Sequence, residues 1–266
     1  MKIIVSGAAG RMGRAILESL YEEDELELSA AFEKKGHPAL KKDAGDLIGI
    51  GTWGTALSEF TKKALQRGDV VIDFTFPQGT VQMVQEAHAR GKAMVIGTTG
   101  FSKDHLKTVE DAAQKIPIVL SPNMSVGVNV MFKLIAEAAQ ALGTSYDVEI
   151  LEIHHRLKKD APSGTAIRMG EVAAAARNTT LQQSGRFTRQ GNIGARPGGE
   201  IGLQTLRAGD VVGEHTVTFA GPGERIELTH RAHNRNNFAR GALMAARWIV
   251  NQPPGLYDMM DVLQLK

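Results

Sequence analysis

The stretch Val5-Ser6-Gly7-Ala8-Ala9-Gly10-Arg11-Met12-Gly13 is the strongest indication of fold in this 266-residue chain. It ends a short apolar run that starts at Lys2, and it leads into an amphipathic pattern over residues 14–20. The order is strand, glycine-rich turn and helix, which leaves the first amide groups of the helix available to an anion. The glycines allow a tight turn, close approach of a phosphate, and close packing of the helix on the strand. The stretch therefore predicts that a dinucleotide pyrophosphate binds here.

The first 120 residues alternate short apolar runs with helical patterns, which predicts parallel strands joined by helices on both faces of a sheet. We expect a Rossmann-type α/β domain over 1–126, with 33–56 as a long loop holding at most a short strand. The predicted strands are 2–6, 26–32, 69–75, 92–97 and 116–121, and the predicted helices are 11–22, 57–67, 79–90 and 102–115.

The pattern changes near residue 121 and predicts a second, α+β domain over 127–236 with a largely antiparallel or mixed sheet. Its polar segment 178–200 has no clear period. We expect the final helix and the tail, 237–266, to return to the first domain. The elements predicted beyond residue 126 are helices at 127–142, 163–177 and 237–250 and strands at 147–154, 200–207, 213–220 and 224–233.

The composition is that of a globular enzyme-sized chain, with 42% hydrophobic and 23% charged residues. A net charge of +2 gives no general case for nucleic acid or an anionic membrane as a partner. We expect no membrane span and no signal peptide, because the apolar runs are short and the N-terminus starts a strand. The chain has no cysteine, so disulfides, thiolate nucleophiles and Cys-ligated zinc are excluded. This absence is compatible with a reducing cytoplasm, and we expect a cytoplasmic location.

The sugar end of a dinucleotide is predicted at Glu33, twenty residues beyond Gly13 at the end of the second strand. A carboxylate there would hold the ribose hydroxyls of NADH, and Lys34 and Lys35 could pair with the 2′-phosphate of NADPH. We therefore predict that both cofactors are used; the alternative is an ordinary solvated turn. At the ends of later strands, the loop of Gly97, Thr98 and Thr99 is expected to line the nicotinamide end.

The strongest catalytic candidate is the segment from Glu152 to Thr165, which contains two histidines and several cations at the end of a predicted strand. Histidine donates protons well near neutral pH. Ser163-Gly164-Thr165 opens a helix, whose free amide groups suit a carboxylate. The segment predicts binding of a small acidic molecule and proton donation to it.

Two other interpretations concern charged and metal-binding residues. A metal site at His154 and His155 is disfavoured, because adjacent strand residues point to opposite faces, and we predict no metal. The stretch from Arg186 to Arg207 holds four arginines and one acid, Glu200. It is either a solvated loop or a set of charges that face an anionic ligand.

Taken together, these motifs resemble the dihydrodipicolinate reductase family over essentially the whole chain. The most diagnostic block is Glu-Ile-His-His-Arg at 152–156 with Lys-Lys-Asp-Ala-Pro-Ser-Gly-Thr-Ala at 158–166. The other motifs that carry the resemblance are Val-Ser-Gly-Ala-Ala-Gly-Arg-Met-Gly at 5–13, Ile-Asp-Phe-Thr at 72–75, Val-Ile-Gly-Thr-Thr-Gly-Phe at 95–101, Ser-Val-Gly-Val-Asn-Val at 125–130 and Arg-Ala-Gly-Asp-Val-Val-Gly-Glu-His-Thr at 207–216.

The resemblance implies NAD(P)H-dependent reduction of 4-hydroxy-tetrahydrodipicolinate, a small cyclic dicarboxylate, in lysine and diaminopimelate biosynthesis. It implies a homotetramer formed through the second domain. It assigns His154 as the catalytic acid with Lys158 as its partner, and substrate contacts to His155, Ser163, Gly164 and Thr165. The cofactor contacts it implies are Gly7, Ala8, Ala9, Gly10, Arg11, Met12, Glu33, Lys34, Gly97, Thr98, Thr99, Ser121, Pro122, Asn123 and Met124.

Two alternatives remain open at the level of the sequence. One is a non-catalytic NAD(P)-binding regulator or redox sensor, which would have no need of His154 and Lys158 beside a carboxylate-binding helix start. The other is a different Rossmann oxidoreductase, such as an amino-acid dehydrogenase acting on a related dicarboxylate. A panel of substrates would separate the two enzymes.

Overall fold

The computed structural model describes residues 1–266, which form two compact units. Unit 1 comprises Met1–Val126 and Arg235–Lys266, and unit 2 comprises Gly127–Asn234. The elements of the first part of the chain are β1 (Lys2–Ser6), α1 (Arg11–Tyr21), β2 (Glu27–Phe32), α2 (Ala44–Ile48), β3 (Leu57–Ser58), α3 (Lys62–Arg67), β4 (Val70–Asp73), α4 (Pro77–His88), β5 (Ala93–Ile96), α5 (Lys103–Ala113) and β6 (Pro117–Leu120).

The remaining elements begin with the longest helix and end with a short helix at the C-terminus. They are α6 (Val126–Leu142), a 3-10 turn (Gly143–Ser145), β7 (Asp147–His154), α7 (Gly164–Ala176), α8 (Leu181–Ser184), β8 (Gly185–Arg186), β9 (Ile201–Arg207), β10 (Gly213–Gly221), β11 (Glu224–Ala232), α9 (Asn236–Ile249), β12 (Gly255–Tyr257) and α10 (Met259–Val262).

Unit 1 is a parallel sheet in the order β12-β6-β5-β4-β1-β2-β3. Its central strands are buried apolar runs, typical of parallel strands covered on both faces. Successive side chains alternate between faces, so Ile3 and Val5 join a core with α1 and α9, whereas Ile4 joins the core of α4 and α5. The strand order reverses between β1 and β4, where open α/β sheets bind ligands at the carboxyl ends of their strands.

Unit 2 is a mixed sheet in the order β11-β10-β7-β9-β8. β10 pairs antiparallel with both β7 and β11, while β9 runs parallel to β7 and β8. Alternate residues of β7 and β10 point into a core that contains Val148, Ile150, Val217 and Phe219 with residues of α6 and α7. The predicted combination of a Rossmann-type parallel sheet and a second, mixed sheet is confirmed.

Most predicted elements are confirmed to within a residue or two, but two predictions are wrong. The predicted helix 57–67 is strand β3 followed by α3, because Leu57 pairs with Ala31 and the Thr61 side chain caps the later helix start. The predicted loop 33–56 contains α2, which the Asp43 carboxylate caps at the amide of Gly45. The segment 178–200, whose sequence has no clear period, contains the short elements α8 and β8.

Candidate active site

The glycine-rich turn between β1 and α1 is a compact backbone structure. Gly7 has a φ of +78°, which favours glycine, and its amide and that of Ala8 donate to the carbonyl of Phe32 at 3.0 and 3.1 Å. A Cβ on Gly13 would lie 2.2 Å from the carbonyl oxygen of Gly7. Only glycine at position 13 therefore lets α1 begin this close to the turn, as the sequence predicted.

Glu33 lies beside this turn, at the end of β2. Its Oε2 accepts from the amide of Ala9 at 3.2 Å, and its Oε1 accepts from the amide of Lys34 at 3.0 Å. The carboxylate is therefore fixed next to the turn, although 24 residues separate Glu33 from Ala9. This is the placement that a ribose-binding acid requires.

A cavity of about 670 Å³ opens against these residues. Of the predicted cofactor residues, Gly7, Ala9, Gly10, Glu33 and Lys34 line it. Its other walls combine the apolar side chains of Phe32, Phe60, Phe74, Phe76 and Met83 with polar ones such as Gln82, Gln85 and Glu86. The turn, the carboxylate and the apolar walls together fit a dinucleotide, with no side chain at Gly7 or Gly10 to obstruct a phosphate.

The other predicted cofactor residues lie outside the lining of this cavity. Ala8 is buried, and Arg11 and Met12 form the first turn of α1. The Thr98 side chain is buried, and its hydroxyl donates to the Asp73 carboxylate at 3.1 Å. The remaining residues follow the ends of β5 and β6: Gly97 and Thr99 after the former, and Ser121, Pro122, Asn123 and Met124 after the latter.

Asp73 organises the ends of β4 and β5. Its Oδ1 accepts from the hydroxyls of Thr75 at 2.8 Å and Thr80 at 2.7 Å, in addition to Thr98. The hydroxyl of Thr98 therefore serves the protein's own structure, and the backbone of the 97–99 loop remains the part that can contact a ligand.

In unit 2, the proton-donor candidate His154 is the last residue of β7 and is 9% exposed. Its Nδ1 lies 2.5 Å from Oε2 of Glu152, which is two residues earlier on the same face of the strand and fully buried. On the other side of the ring, a Cβ on Gly213 would lie 2.9 Å from Nε2. The imidazole is therefore bonded at one nitrogen, and a glycine faces the other.

Glu152 is the centre of a group that we call the Glu152 cluster: Glu152, His154, Ser163, Thr205 and Arg207. The Arg207 guanidinium donates to both carboxylate oxygens, from Nη1 to Oε2 at 2.9 Å and from Nη2 to Oε1 at 3.0 Å. The Ser163 amide and the Thr205 hydroxyl donate to Oε1 at 3.0 and 3.2 Å. Burial opposes ionisation of Glu152, but the bonds from Arg207, His154 and Ser163 outweigh it and lower its pKa.

The basicity of the two buried histidines is reduced. Burial lowers the pKa of His154, and this outweighs the raising effect of ionised Glu152. Burial, with the charge of neighbouring His154, lowers the pKa of His215 to about 3. The His215 ring packs edge-on against that of His154, with ring centres 5.2 Å apart, and its Nε2 lies 3.0 Å from the Ser163 hydroxyl. His215 is therefore a neutral buried neighbour of His154.

The predicted substrate residues follow β7 in one loop and the start of α7. Lys158 is partly buried, its amide donates to the carbonyl of His155 at 3.1 Å, and its Nζ lies 2.9 Å from the Asp160 carboxylate. The Ser163 hydroxyl caps α7 by accepting from the amide of Ala166 at 3.1 Å. The positive end of this thirteen-residue helix thus lies at Gly164 and Thr165, which follow Lys158 closely in the sequence.

The arginine-rich segment differs from both interpretations that the sequence allowed. Arg189 binds Glu149 through two bonds of 2.8 Å and also contacts Glu200. Arg196 contacts Asp147 and Glu149, and Arg207 binds Glu152. Three of the four arginines are thus paired with acids of the protein, mostly on β7, so they are neither freely solvated nor directed at a ligand. The three acids of β7, Asp147, Glu149 and Glu152, were the signal for this pairing.

The sequence analysis included Glu152 in the candidate segment without giving it a role, and it missed Thr205, Arg207, Gly213 and His215 as members of the site. The period of two shared by Glu152 and His154 could have indicated the role of Glu152. The others lie on β9 and β10, and only strand pairing brings them to β7: His154 faces Arg207, and Glu152 faces both Thr205 and His215.

None of the helices has the length and apolar character of a membrane span, and no group of three His, Cys, Asp or Glu side chains could hold a metal ion.

Comparison with known families covers both parts of the chain. Residues 1–124 match the family model described as dihydrodipicolinate reductase, N-terminus, and residues 127–263 match the one described as dihydrodipicolinate reductase, C-terminus. The two matches leave only a few residues of the chain uncovered.

Individual relatives and a solved structure agree with these family matches. The chain is 54% identical to the 4-hydroxy-tetrahydrodipicolinate reductase of Anaeromyxobacter dehalogenans strain 2CP-1 over 100% of this chain and 98% of that protein. It is 51% identical to the enzyme of the same name from Syntrophobacter fumaroxidans, over 100% of both. A dipicolinate-bound dihydrodipicolinate reductase from Paenisporosarcina sp. TG-14 shares the fold, with a TM-score of 0.77, 23% identity and 98% of each chain covered. The chain therefore belongs to the dihydrodipicolinate reductase family, as the sequence motifs predicted.

Proposed function

We propose that this protein reduces 4-hydroxy-tetrahydrodipicolinate to tetrahydrodipicolinate with NADH or NADPH, in lysine and diaminopimelate biosynthesis. Full-length similarity to reductases of that name supports the reaction. The observation that carries the proposal in this chain is the arrangement around His154. A buried imidazole is held at Nδ1 by Glu152, whose other oxygen holds the amide of Ser163 just before the start of α7. A proton donor and a carboxylate-binding helix start are thus joined through one side chain.

Unit 1 would hold the cofactor. The pyrophosphate would bind at the turn of Gly7, Ala9 and Gly10, and Glu33 would accept hydrogen bonds from the ribose hydroxyls. Lys34 is exposed and lines the same cavity, so its ammonium group can meet the 2′-phosphate of NADPH. The presence of both groups supports use of both cofactors. When bound, the nicotinamide supplies the hydride that is added to C4 of the unsaturated ring.

His154 and Lys158 would supply the proton for the carbon next to C4. In the free protein, burial keeps the pKa of His154 below its usual value. A substrate with two carboxylates brings negative charge to the site, which favours the imidazolium form at the time of reaction. The charge of Lys158 lowers the pKa of His154, and Lys158 itself is a second proton donor that can anchor a carboxylate.

The start of α7 would bind the substrate's carboxylates. Ser163 caps the helix, and Gly164 and Thr165 contribute the first amide groups of its positive end. His155 begins the loop after β7 and is half-buried, so it can contact the same substrate. The anionic substrate would be held by backbone dipoles as well as by cations.

We also propose that copies of the chain associate through unit 2, as a homotetramer, in the cytoplasm. The sheet face opposite α6 and α7 exposes Leu151 and Leu206, which are 38% and 48% exposed. Apolar side chains on an open sheet face are typical of a face that another protein chain covers. Light scattering of the purified protein would give the number of copies, and a monomer at micromolar concentration would contradict this part of the proposal.

The reaction is tested by the loss of nicotinamide absorbance, measured separately with NADH and NADPH. The preceding synthase generates the unstable substrate in the same cuvette. We expect rapid oxidation of both cofactors, abolished by pyridine-2,6-dicarboxylate, a planar analogue that carries the same two carboxylates. Tight cofactor binding without oxidation would overturn the proposal and favour a regulator or a different dicarboxylate substrate.

A further inference from the structure

We propose that Glu152, itself fixed by Arg207, is the positioning residue that sets which nitrogen of His154 donates the proton and holds the substrate-binding helix start in register with it. This inference rests on the proposed function, since it assigns a role to His154 in the reaction. Neither Glu152 nor Arg207 is expected to touch the substrate. Each acts through the groups that do.

The hydrogen bonds at Glu152 are divided unequally between its two oxygens. Oε1 accepts from Ser163, from Thr205 and from Nη2 of Arg207. Oε2 accepts from Nη1 of Arg207 and faces Nδ1 of His154. Because an ionised carboxylate only accepts, Nδ1 of His154 must carry a proton in this arrangement. The proton that leaves the imidazolium is then the one on Nε2, the atom beside Gly213.

Arg207 also connects Glu152 to the loop that carries Lys158. Its Nη2 donates to the carbonyl of Asp160 at 2.5 Å, and the Asp160 carboxylate binds Lys158. One guanidinium therefore ties together both proposed proton donors. A lysine at position 207 would keep the charge, but it could not make two parallel bonds to Glu152.

A purely structural ion pair is the competing explanation for Glu152 and Arg207. Buried pairs are weak contributors to stability, because removing both charges from water costs about as much as their attraction returns. A structural pair would not require His154 and Ser163 at the same carboxylate. The two explanations differ in what they predict for the protonation of His154, which gives the test.

The first variant is Glu152→Gln, which keeps the size of the side chain and removes its charge. Three donors at Oε1 would keep the amide oxygen at that position and place the amide NH2 at the Oε2 position, facing Nδ1 of His154, at the cost of the bond from Nη1 of Arg207. The amide would then donate to Nδ1, so neutral His154 would carry its proton on Nε2. Nitrogen NMR of the free protein, labelled at histidine, is expected to show the Nδ1–H form in the wild type and the Nε2–H form in the variant.

The activity of Glu152→Gln should change in a characteristic way. We expect kcat to fall by about a hundredfold, a loss of the same kind as in a serine protease. There, loss of the correct histidine tautomer lowers kcat by about 10⁴-fold. The KM for NADH should be unchanged, because the cofactor residues are elsewhere in the chain.

The groups that face His154 are Glu152 on β7, Arg207 on β9, His215 on β10 and Lys158 in the following loop. Of these only Glu152 raises the pKa of His154, so the alkaline limb of the kcat profile should move to lower pH in the variant.

Glu149→Gln is the matched control. Glu149 lies on the same strand, and it is likewise bound by arginines, but it has no contact with His154. We expect this variant to keep the wild-type tautomer, pH profile and kcat. Arg207→Lys is the second test variant, useful if Glu152→Gln does not fold, and it should lower kcat about tenfold while the protein stays folded.

These experiments distinguish failure of the positioning role from failure of the proposed function. If wild-type protein fails to oxidise either cofactor, the reaction is wrong, yet the NMR experiment still reports the tautomer. If the wild type is active and Glu152→Gln retains its kcat, its pH profile and the Nδ1–H form, the positioning role is overturned. The positioning role is also overturned if Arg207→Lys and Glu149→Gln behave alike.

Discussion

The turn at Gly7–Gly13 and the Glu152 cluster are built in opposite ways. The turn is one continuous stretch of chain, and it prepares its ligand site mainly with missing side chains at the start of a helix. The Glu152 cluster draws on β7, β9 and the start of α7, and it works through side chains that bond to one another. A backbone site can therefore be recognised from residue spacing alone, whereas a side-chain cluster becomes visible only when the strands are paired.

This difference affects how each region should respond to substitution. Changes in the turn should alter cofactor binding and the stability of unit 1, with both cofactors affected alike. Changes in or beside the Glu152 cluster should alter proton donation and leave cofactor binding intact. Four sets of variants test these expectations, in order of decreasing effect.

The double variant His154→Gln, Lys158→Ala should give the largest loss. A general acid typically contributes about 10² to 10⁴ in rate, so kcat should fall by at least that factor when both proposed donors are removed. Steady-state kinetics measure kcat, and quenching of tryptophan fluorescence measures NADH binding, which should be nearly unchanged. Turnover close to that of the wild type would show that neither residue donates the proton.

Gly13→Ala should damage the turn and leave the Glu152 cluster untouched. The new Cβ would lie 2.2 Å from the Gly7 carbonyl oxygen and 2.6 Å from Cα of Ala8, both backbone atoms that cannot rotate away. Overpacking of this kind costs about 1–3 kcal/mol. Thermal unfolding should show a lower Tm, and titrations should show equal weakening of NADH and NADPH. Gly198→Ala, where nothing lies within 4 Å of the new Cβ, is the control and should change neither.

Gly213→Ala should affect proton donation alone. The methyl group would lie 2.9 Å from Nε2 of His154, so the ring must shift or the substrate must stand farther away. We expect a fall in kcat of about tenfold, since small misplacements of reacting groups cost one or two orders of magnitude. The dissociation constant for NADH should stay constant. A selective loss of NADH affinity would break the division between the two regions.

The smallest effects are expected at the ribose end of the cofactor. Glu33→Ala should weaken NADH more than NADPH, and the paired change Lys34→Ala, Lys35→Ala should do the reverse. A single exposed charge pair contributes about 0.2–1 kcal/mol, so each change should be only a few-fold. The dissociation constants of NADH and NADPH, measured with each variant, would give these changes in affinity. Equal weakening of the two cofactors by either variant would contradict the assigned roles.

Much of the fold could be predicted because its signals are local. Apolar runs such as Val70–Asp73 and the helical periods between them were enough to predict a parallel sheet. Predictions failed where a single polar side chain decided the structure. Asp43 and Thr61 cap α2 and α3, and a capping signal of one residue is easily overridden by the apolar period around it.

The sequence predicted some parts of the candidate site better than others. The glycine turn and Glu33 were placed correctly relative to each other, because the acid follows a strand at a fixed distance from the turn. Thr98 was predicted as a cofactor residue, yet its hydroxyl is committed to Asp73. The arginines of 186–207 were given two interpretations, and pairing with the acids of β7 was not one of them.

The Rossmann-type domain, the glycine-rich turn, the family and the choice of His154 and Lys158 as proton-donor candidates could all be read from the amino-acid sequence. These depend on residue types at short, fixed spacings, which local geometry turns directly into strands, turns and helix starts. The nitrogen of His154 that is held, and the residue that holds it, became known from the folded structure alone. Glu152, Ser163, Thr205 and Arg207 are separated by up to 55 residues, and their meeting depends on the parallel register of β7 and β9 and on the return of the chain at α7. No spacing within the sequence encodes that register, because it is set by the packing of the whole sheet.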